Sequence, residues 1–322
     1  MNADLKGWLP VDAVVQEGRP GLLWMEMSGV QLAEPFFEQT VERAKGEKRA
    51  QRFTEFDVLL QLEKQVESVP PTGFIFHSSR CGSTLVANAC RAISGSIVLS
   101  EANAIDKLIA RFVTDTDNPV KESLYSVFLR GVVHALAQRR TDNARHLFIK
   151  FACCSFAQIE RIKRIWPDVP WLFLYRDPVE TIVSNVRDVP PWLIDNDRRV
   201  LSSIIGDAGE MSLEELCART IGSLYSTAYN LANGNSMLLN YKQLSVPVIA
   251  NVLKFFNVNP SIEEMETITR TSKVYSKEAS GTRAFVSDTD TKLRLASDLV
   301  REMSERWAVE PYRLLEQKSF KS

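Results

Sequence analysis

The tightest constraint on the fold lies in residues 70–86, P-P-T-G-F-I-F-H-S-S-R-C-G-S-T-L-V. Pro70 and Pro71 keep the chain extended, and Gly73-Phe74-Ile75-Phe76-His77 is an apolar run of buried-strand length. Small polar residues follow, Ser78-Ser79-Arg80-Cys81-Gly82-Ser83-Thr84, before Leu85, Val86, Ala89, Cys90 and Ile93 fall on one helical stripe. A strand, a tight loop and a helix start gather backbone N–H groups at the positive end of a helix dipole, a geometry that binds anions. The plainer alternative is an ordinary strand–turn–helix with a capping serine.

Beyond this stretch the chain alternates between strand and helix patterns, which predicts a parallel sheet. Strands are expected at 96–100, 146–150, 170–175 and 236–240, the fourth run (170–175) apolar on both faces and therefore central. Ser155-Phe156-Ala157-Gln158 reads as a capping box opening a helix. Asp177, Pro178 and Glu180 read as N-cap, N1 and N3 of another. Residues 187–211 form a long connection of the kind that makes lids, 272–290 are loop-like, and a last helix covers about 291–306. The expected architecture is a three-layer α/β sandwich with a mostly parallel central sheet and helices on both faces.

Residues 1–70 read as an appendage on an α/β domain spanning 71–322. A turn at Gly18-Arg19-Pro20-Gly21, a short strand at 22–25 and helices at 34–49 and 57–66 are expected there. Trp24, Phe36 and Phe37 pack this segment on the core or present it to a partner.

At 322 residues and a net charge of −1, the chain can bury a full core but is no general nucleic-acid binder, so an anion site must be a local pocket. Five cysteines without a metal-ligand spacing suit a reduced, cytoplasmic protein with no metal. No apolar run is long enough for a membrane span or a signal peptide.

Open α/β sheets bind ligands at the carboxyl ends of their strands. In order, those ends carry the 78–84 loop, Glu101, Lys150, Arg176 and Tyr241. Cations gathered there with one carboxylate call for a multiply anionic ligand. The loop departs from the nucleotide-triphosphatase pattern G-x-x-x-x-G-K-[ST], because Ser83 stands in the lysine slot and the cation comes earlier, at Arg80.

With the loop Arg80-Cys81-Gly82-Ser83-Thr84-Leu85 and the later Arg176-Asp177-Pro178 followed by Ser184, the sequence resembles the sulfotransferases that use 3′-phosphoadenosine 5′-phosphosulfate (PAPS). The resemblance covers roughly residues 72–290 and implies a fold of P-loop type. It implies that Ser79, Arg80, Cys81, Gly82, Ser83 and Thr84 hold the 5′-phosphosulfate, and that Arg176 and Ser184 hold the 3′-phosphate. Tyr241, Ser276 and Lys277 resemble weaker elements of the cofactor site. The site is most similar to that of the tyrosylprotein sulfotransferases, which implies Glu101 as the base, while none of His77, His134 or His146 matches the histidine base of the cytosolic enzymes. Cys81 stands where serine is usual.

The resemblance implies in-line, metal-free sulfuryl transfer from PAPS to a hydroxyl or amine of a small-molecule, glycan or peptide acceptor. Arg80 would stabilise the leaving phosphate, Glu101 take the acceptor proton and Lys150 neutralise the sulfonate. Taken residue by residue, Glu101 is either a base or a helix cap, and Lys150 either a catalytic group or a strand-end lysine. The rival readings are an ATP/Mg phosphotransferase with Asp177 as the metal carboxylate, and a nucleotide-binding scaffold without turnover.

Overall fold

The computed structural model describes residues 4–62, 64–113, 118–194, 199–273 and 289–321. The chain opens with β1 (Trp8–Gln16) and β2 (Arg19–Glu26), then α1 (Phe37–Gly46), β3 (Gln51–Glu55) and a short α2 (Leu59–Leu62). Strands β1, β2 and β3 form an antiparallel sheet in that order. The hairpin turn is at Glu17 and Gly18, both left-handed (φ 51° and 76°), and not at 18–21 as expected. Pro20 and Gly21 instead belong to β2, and Gly21 is needed there because a Cβ would lie 2.1 Å from the Thr54 carbonyl oxygen of β3. β1 hides in the sequence because Pro10 sits at an irregularity of an edge strand, a place where proline costs no ladder bond.

The α/β body follows as β4 (Pro71–His77), α3 (Ser83–Arg91), β5 (Ser96–Ser100), α4 (Asn103–Arg111), α5 (Pro119–Leu136), β6 (His146–Lys150), α6 (Ile159–Ile165), β7 (Trp171–Tyr175) and α7 (Pro178–Arg187). After the short helices α8 (Pro191–Ile194) and α9 (Arg199–Ile205) come α10 (Leu213–Leu231), β8 (Ser236–Asn240), α11 (Val246–Phe255) and α12 (Ile262–Thr271). The C-terminal helices are α13 (Thr289–Leu295), α14 (Asp298–Trp307) and α15 (Val309–Gln317).

The central sheet has five strands in the order β5-β6-β4-β7-β8, all parallel. The expected three-layer α/β architecture is therefore the observed one. The strand alternation sorts its residues cleanly between two cores. Phe74, Phe76, Leu147, Ile149, Trp171, Phe173 and Tyr175 face the larger core, with α4–α7, α10 and the N-terminal segment. Ile75, Phe148, Leu172 and Leu174 face a smaller one formed with α3, α11 and α12. Because β4 has β6 on one side and β7 on the other, the winding reverses at β4, and the loop leaving β4 opens at that switch point.

Three local expectations are corrected. Ser155 does not cap a helix, because residues Cys153–Gln158 form a 3-10 turn and the Ser155 hydroxyl donates to Asp106 Oδ1 at 2.8 Å. The connection after α7 carries helices α8 and α9, with Leu193, Leu201 and Ala208 buried in the larger core, so its described parts are packed structure. The last helix, expected over 291–306, is divided into α13 and α14 by the cap at Ser297, and α15 follows Ala308. Among the described residues no helix is long and apolar enough to cross a membrane.

The α10 helix crosses the α14–α15 junction so closely that a Cβ on Gly222 would stand 2.1 Å from the Trp307 carbonyl oxygen. Alanine would gain up to about 1 kcal/mol of helix propensity there. The clash is with backbone, which no rotamer change relieves, so Gly222→Ala is expected to lower stability by about 1–3 kcal/mol net. Urea unfolding of the two proteins measures it, and equal midpoints would mean that the junction yields freely.

Candidate active site

The loop between β4 and α3 is built from left-handed backbone, with φ of 71° at Ser79, 51° at Arg80 and 83° at Gly82. Runs of this kind turn successive N–H groups toward one concavity. Gly82 is required twice over, by its φ and because a Cβ would meet Leu244 at 2.6 Å and Tyr241 at 3.1 Å. Side chains tie the loop down. The Ser79 hydroxyl donates to Asn185 Oδ1 at 3.0 Å, and the buried Cys81 thiol donates to the Leu174 carbonyl at 3.1 Å. Burial pushes that thiol up to about 11, so Cys81 is an anchor on β7 and not a nucleophile. Ser83 and Thr84 open α3, where the first N–H groups have no carbonyl behind them in the helix.

Arg80 reaches along the end of α7. Its Nε donates to Asn185 Oδ1 at 3.3 Å, and Nη2 meets the Asp188 carboxylate at 2.7 Å and carbonyl at 2.5 Å. Arg176, at the end of β7, lies on the same side, with Nη1 3.4 Å from the Arg80 carbonyl and its guanidinium 4.2 Å from the centre of the Tyr241 ring. It is buried, and Glu180, one helical turn on, receives its Nε at 2.8 Å and its Nη2 on the same carboxylate oxygen. Ser184 follows one turn later on α7 and is half-buried. Asp177 is the expected cap, accepting the Glu180 N–H at 3.1 Å.

The ends of β4, β5 and β6 bring three further groups together. Lys150 is 1% exposed, and its ammonium is ion-paired to Glu101 Oε1 and lies 4.6 Å from the centre of the Phe36 ring. His77 Nε2 stands 3.5 Å from the same Glu101 oxygen, and His77 Nδ1 accepts the N–H of Ser79 at 3.0 Å. Burial alone would raise the Glu101 carboxyl, but the Lys150 charge and the His77 ring together hold it well below the ordinary carboxylate range. Glu101 does not cap α4, whose N-cap residue is Ala102.

Asp106, in the first turn of α4, behaves oppositely. Burial, and more weakly the Glu101 charge, raise it to about 7, against the hydrogen bonds it accepts from Ser155 Oγ and the Ala152 N–H.

Of the residues expected in the site, Ser79 to Thr84, Arg80 with Arg176, and Glu101 with Lys150 are brought together as described, with Tyr241 stacked on Arg176 and against Gly82. Ser276 and Lys277 lie outside the described residues. His77, Asp106, Asn185, Glu180 and Phe36 also stand at the site, and their residue types alone give them no role there. His77 was legible as the last residue of a strand aimed at the site, and Glu180 as the i+4 neighbour of Arg176. Nothing short of the tertiary fold marks the other three.

No protein-family model matches this chain, and no curated protein sequence does. Among solved structures the fold is similar to a sulfotransferase domain from the curacin biosynthetic pathway, with 14% identity over 79% of this chain and 99% of that chain and a TM-score of 0.40. It is similar also to mouse sulfotransferase SULT7A1 complexed with PAP, with 12% identity over 80% of this chain and 92% of that chain and a TM-score of 0.44. A sulfotransferase from Alicyclobacillus acidocaldarius matches with 14% identity over 67% of this chain and 98% of that chain, at a TM-score of 0.36. All three are sulfotransferases by name, and the likeness is one of chain fold alone.

Proposed function

We propose that the chain is a PAPS-dependent sulfotransferase acting on a hydroxyl or amine of a small-molecule, glycan or peptide acceptor. The observation that carries this reading is the meeting of the anion-binding loop, Glu101 and Lys150 at three strand ends on one side of the switch point. The donor supplies a sulfuryl group whose bridging oxygen belongs to the 5′-phosphate. In the transfer a bond forms from the acceptor oxygen or nitrogen to sulfur, the S–O bridge breaks with its electron pair left on the phosphate oxygen, and the acceptor proton goes to Glu101.

Charge therefore grows on the phosphate, and in this reading the N–H groups of the loop, the Ser83 and Thr84 hydroxyls and Arg80 stabilise it, a role that the left-handed loop backbone and the start of α3 support. Lys150 has two tasks. At rest it holds Glu101 ionised, which makes Glu101 a weak base. When Lys150 turns to the sulfonate, the buried carboxylate loses its strongest cation and its proton affinity rises as the acceptor needs it. Arg176 and Ser184 hold the 3′-phosphate, with Glu180 accepting from two of the guanidinium nitrogens and fixing the side chain at the end of β7. Ser276 and Lys277 belong to the same cofactor set.

Residues 1–70 form the appendage to the domain of 71–322, and Phe36, over Lys150, walls the acceptor side. Our reading assigns the protein to the cytoplasm, and its free, buried cysteines are compatible with a reducing compartment. An ATP/Mg reading is disfavoured by Asp177, whose Oδ1 is committed to its cap.

Transfer of label from PAPS to a pool of hydroxyl and amine acceptors, with and without Mg²⁺, tests the reading. Label should move without the metal, and Arg80→Ala should lower the rate about 10²–10³-fold while the protein remains folded. No binding of 3′,5′-diphosphoadenosine together with tight binding of ATP/Mg²⁺ would overturn it.

Asp106 yields a second prediction. Its folded pKa of about 7 lies above the ordinary 3.8, so the folded state binds the extra proton and this group's contribution to stability declines as pH rises from about 4 to about 7. Asn cannot ionise and keeps an oxygen for Ser155 and Ala152. The melting temperature of Asp106→Asn relative to the parent should therefore climb over that pH range and level off above it. A flat difference would show that Asp106 titrates normally.

A further inference from the structure

We infer that His77 is a positioning residue that couples the anion loop to the Glu101 carboxylate, a role that rests on the proposed reaction and adds a component to it. His77 is the last residue of β4 and is 6% exposed. Its Nδ1 accepts the backbone N–H of Ser79 at 3.0 Å. A backbone N–H can only donate, so Nδ1 carries no proton and the neutral ring holds its hydrogen on Nε2. That hydrogen faces Glu101 Oε1, the oxygen that also takes the Lys150 ammonium, at an N···O distance of 3.5 Å.

The two ends of the ring thus serve two strained pieces of backbone. Ser79 and Arg80 are left-handed without being glycine, as is Glu101 at φ 52°. Such conformations persist only where the surroundings over-determine them. The Nδ1 acceptor helps to hold the loop conformation, and Nε2 stands within reach of the Glu101 carboxylate.

At 3.5 Å the Nε2 contact is longer than a close hydrogen bond, and the same Glu101 oxygen takes the Lys150 ammonium. Once Lys150 is drawn to an anionic ligand, the imidazole is the donor left to steer Glu101 toward the acceptor. The other titratable groups around Glu101 are Asp106 on α4 and the Cys153 thiol after β6, and the Cys81 thiol in the loop lies in the field of Lys150. Both thiols are pushed up and stay neutral near pH 7, and Asp106 accepts from Ser155 and Ala152, so none replaces the imidazole as a donor.

Two variants separate the ends of the ring. Asn in place of His77 keeps an acceptor near the Nδ1 position and loses the Nε2 arm, while Gln reaches toward Glu101 and gives up the short acceptor. His77→Asn should bind 3′,5′-diphosphoadenosine within about threefold of the parent, lose about 10–100-fold in kcat, and shift the acid limb of the kcat profile to higher pH. His77→Gln should bind the nucleotide more weakly and keep the acid limb in place.

Two readouts are independent of turnover. ¹⁵N NMR of the full chain should show His77 with Nδ1 bare and Nε2 protonated, and a ¹³C carboxyl titration should find Glu101 at a higher pKa in His77→Asn than in the parent. Failure of the parent to bind 3′,5′-diphosphoadenosine would reject the sulfotransferase reading and leave these two measurements in force. A His77 ring protonated on Nδ1, or a Glu101 titration unchanged in His77→Asn, overturns the inference.

Discussion

The ion pair between Lys150 and Glu101 and the register of the parallel sheet enforce each other. Ser100 is paired with Lys150 across β5 and β6, and Ile75 with Lys150 across β4 and β6. Glu101 adds one further rung, its N–H donating to the Lys150 carbonyl at 2.7 Å after the strand has ended. A slip of one residue would turn Lys150 to the opposite face of the sheet and leave an ammonium buried without a carboxylate. Stranding one partner of a buried pair costs about 3–5 kcal/mol, so the site selects the register as much as the register builds the site. The left-handed φ at Glu101 belongs to the same arrangement, because the chain must turn sharply there to keep the carboxylate over Lys150 while α4 begins.

What could be read from the sequence divides along physical lines. The five central strands were legible because each is a continuous apolar run bounded by polar or turn residues, as a strand covered on both faces must be. Asp177-Pro178 was legible because capping is local chemistry. The β1–β3 sheet was largely hidden. Pro10 and Asp12 break the alternation of β1, and Gly21 looks like a turn until β3 is laid beside it. Ser155 followed the local rule for a cap and was overridden by Asp106, 49 residues away in the chain. His77 does not stand where the histidine base of the cytosolic enzymes does, and Glu101 becomes its neighbour only once β5 and β4 flank β6.

The N-terminal segment is held to the body by polar bonds as well as by the larger core. Gln138 Nε2 donates to the carbonyls of Leu5 and Trp8 at 3.1 and 2.7 Å, Arg91 Nε to that of Leu32 at 3.1 Å, and Asn103 Nδ2 to the Glu38 carboxylate at 2.7 Å. The last two fall on α3 and at the start of α4, the helices that carry the loop and follow Glu101. Phe36 is set over Lys150 by the same docking. An aromatic face beside a buried ammonium gives it partial electrostatic compensation.

Each cation of the site among the described residues has a carboxylate partner: Lys150 has Glu101, Arg80 has Asp188 and Arg176 has Glu180. A chain of net charge −1 can therefore hold an anion pocket without an exposed basic patch. The consequence is that binding by exchange replaces binding by bare attraction. An incoming phosphate gains a guanidinium or ammonium only by displacing a carboxylate, so affinity reflects the difference between two charge-assisted contacts. The three pairs are not equally easy to open. Asp188 is 77% exposed and water receives it readily, whereas Glu180 is 2% exposed and has no route to solvent. Arg80 is thus the cation most free to change partners, Lys150 changes only with a compensating gain of basicity at Glu101, and Arg176 is the hardest to part from its carboxylate. Under the proposed sulfuryl transfer, this ordering sets the mobile charge beside the breaking S–O bond and the fixed one beside the 3′-phosphate.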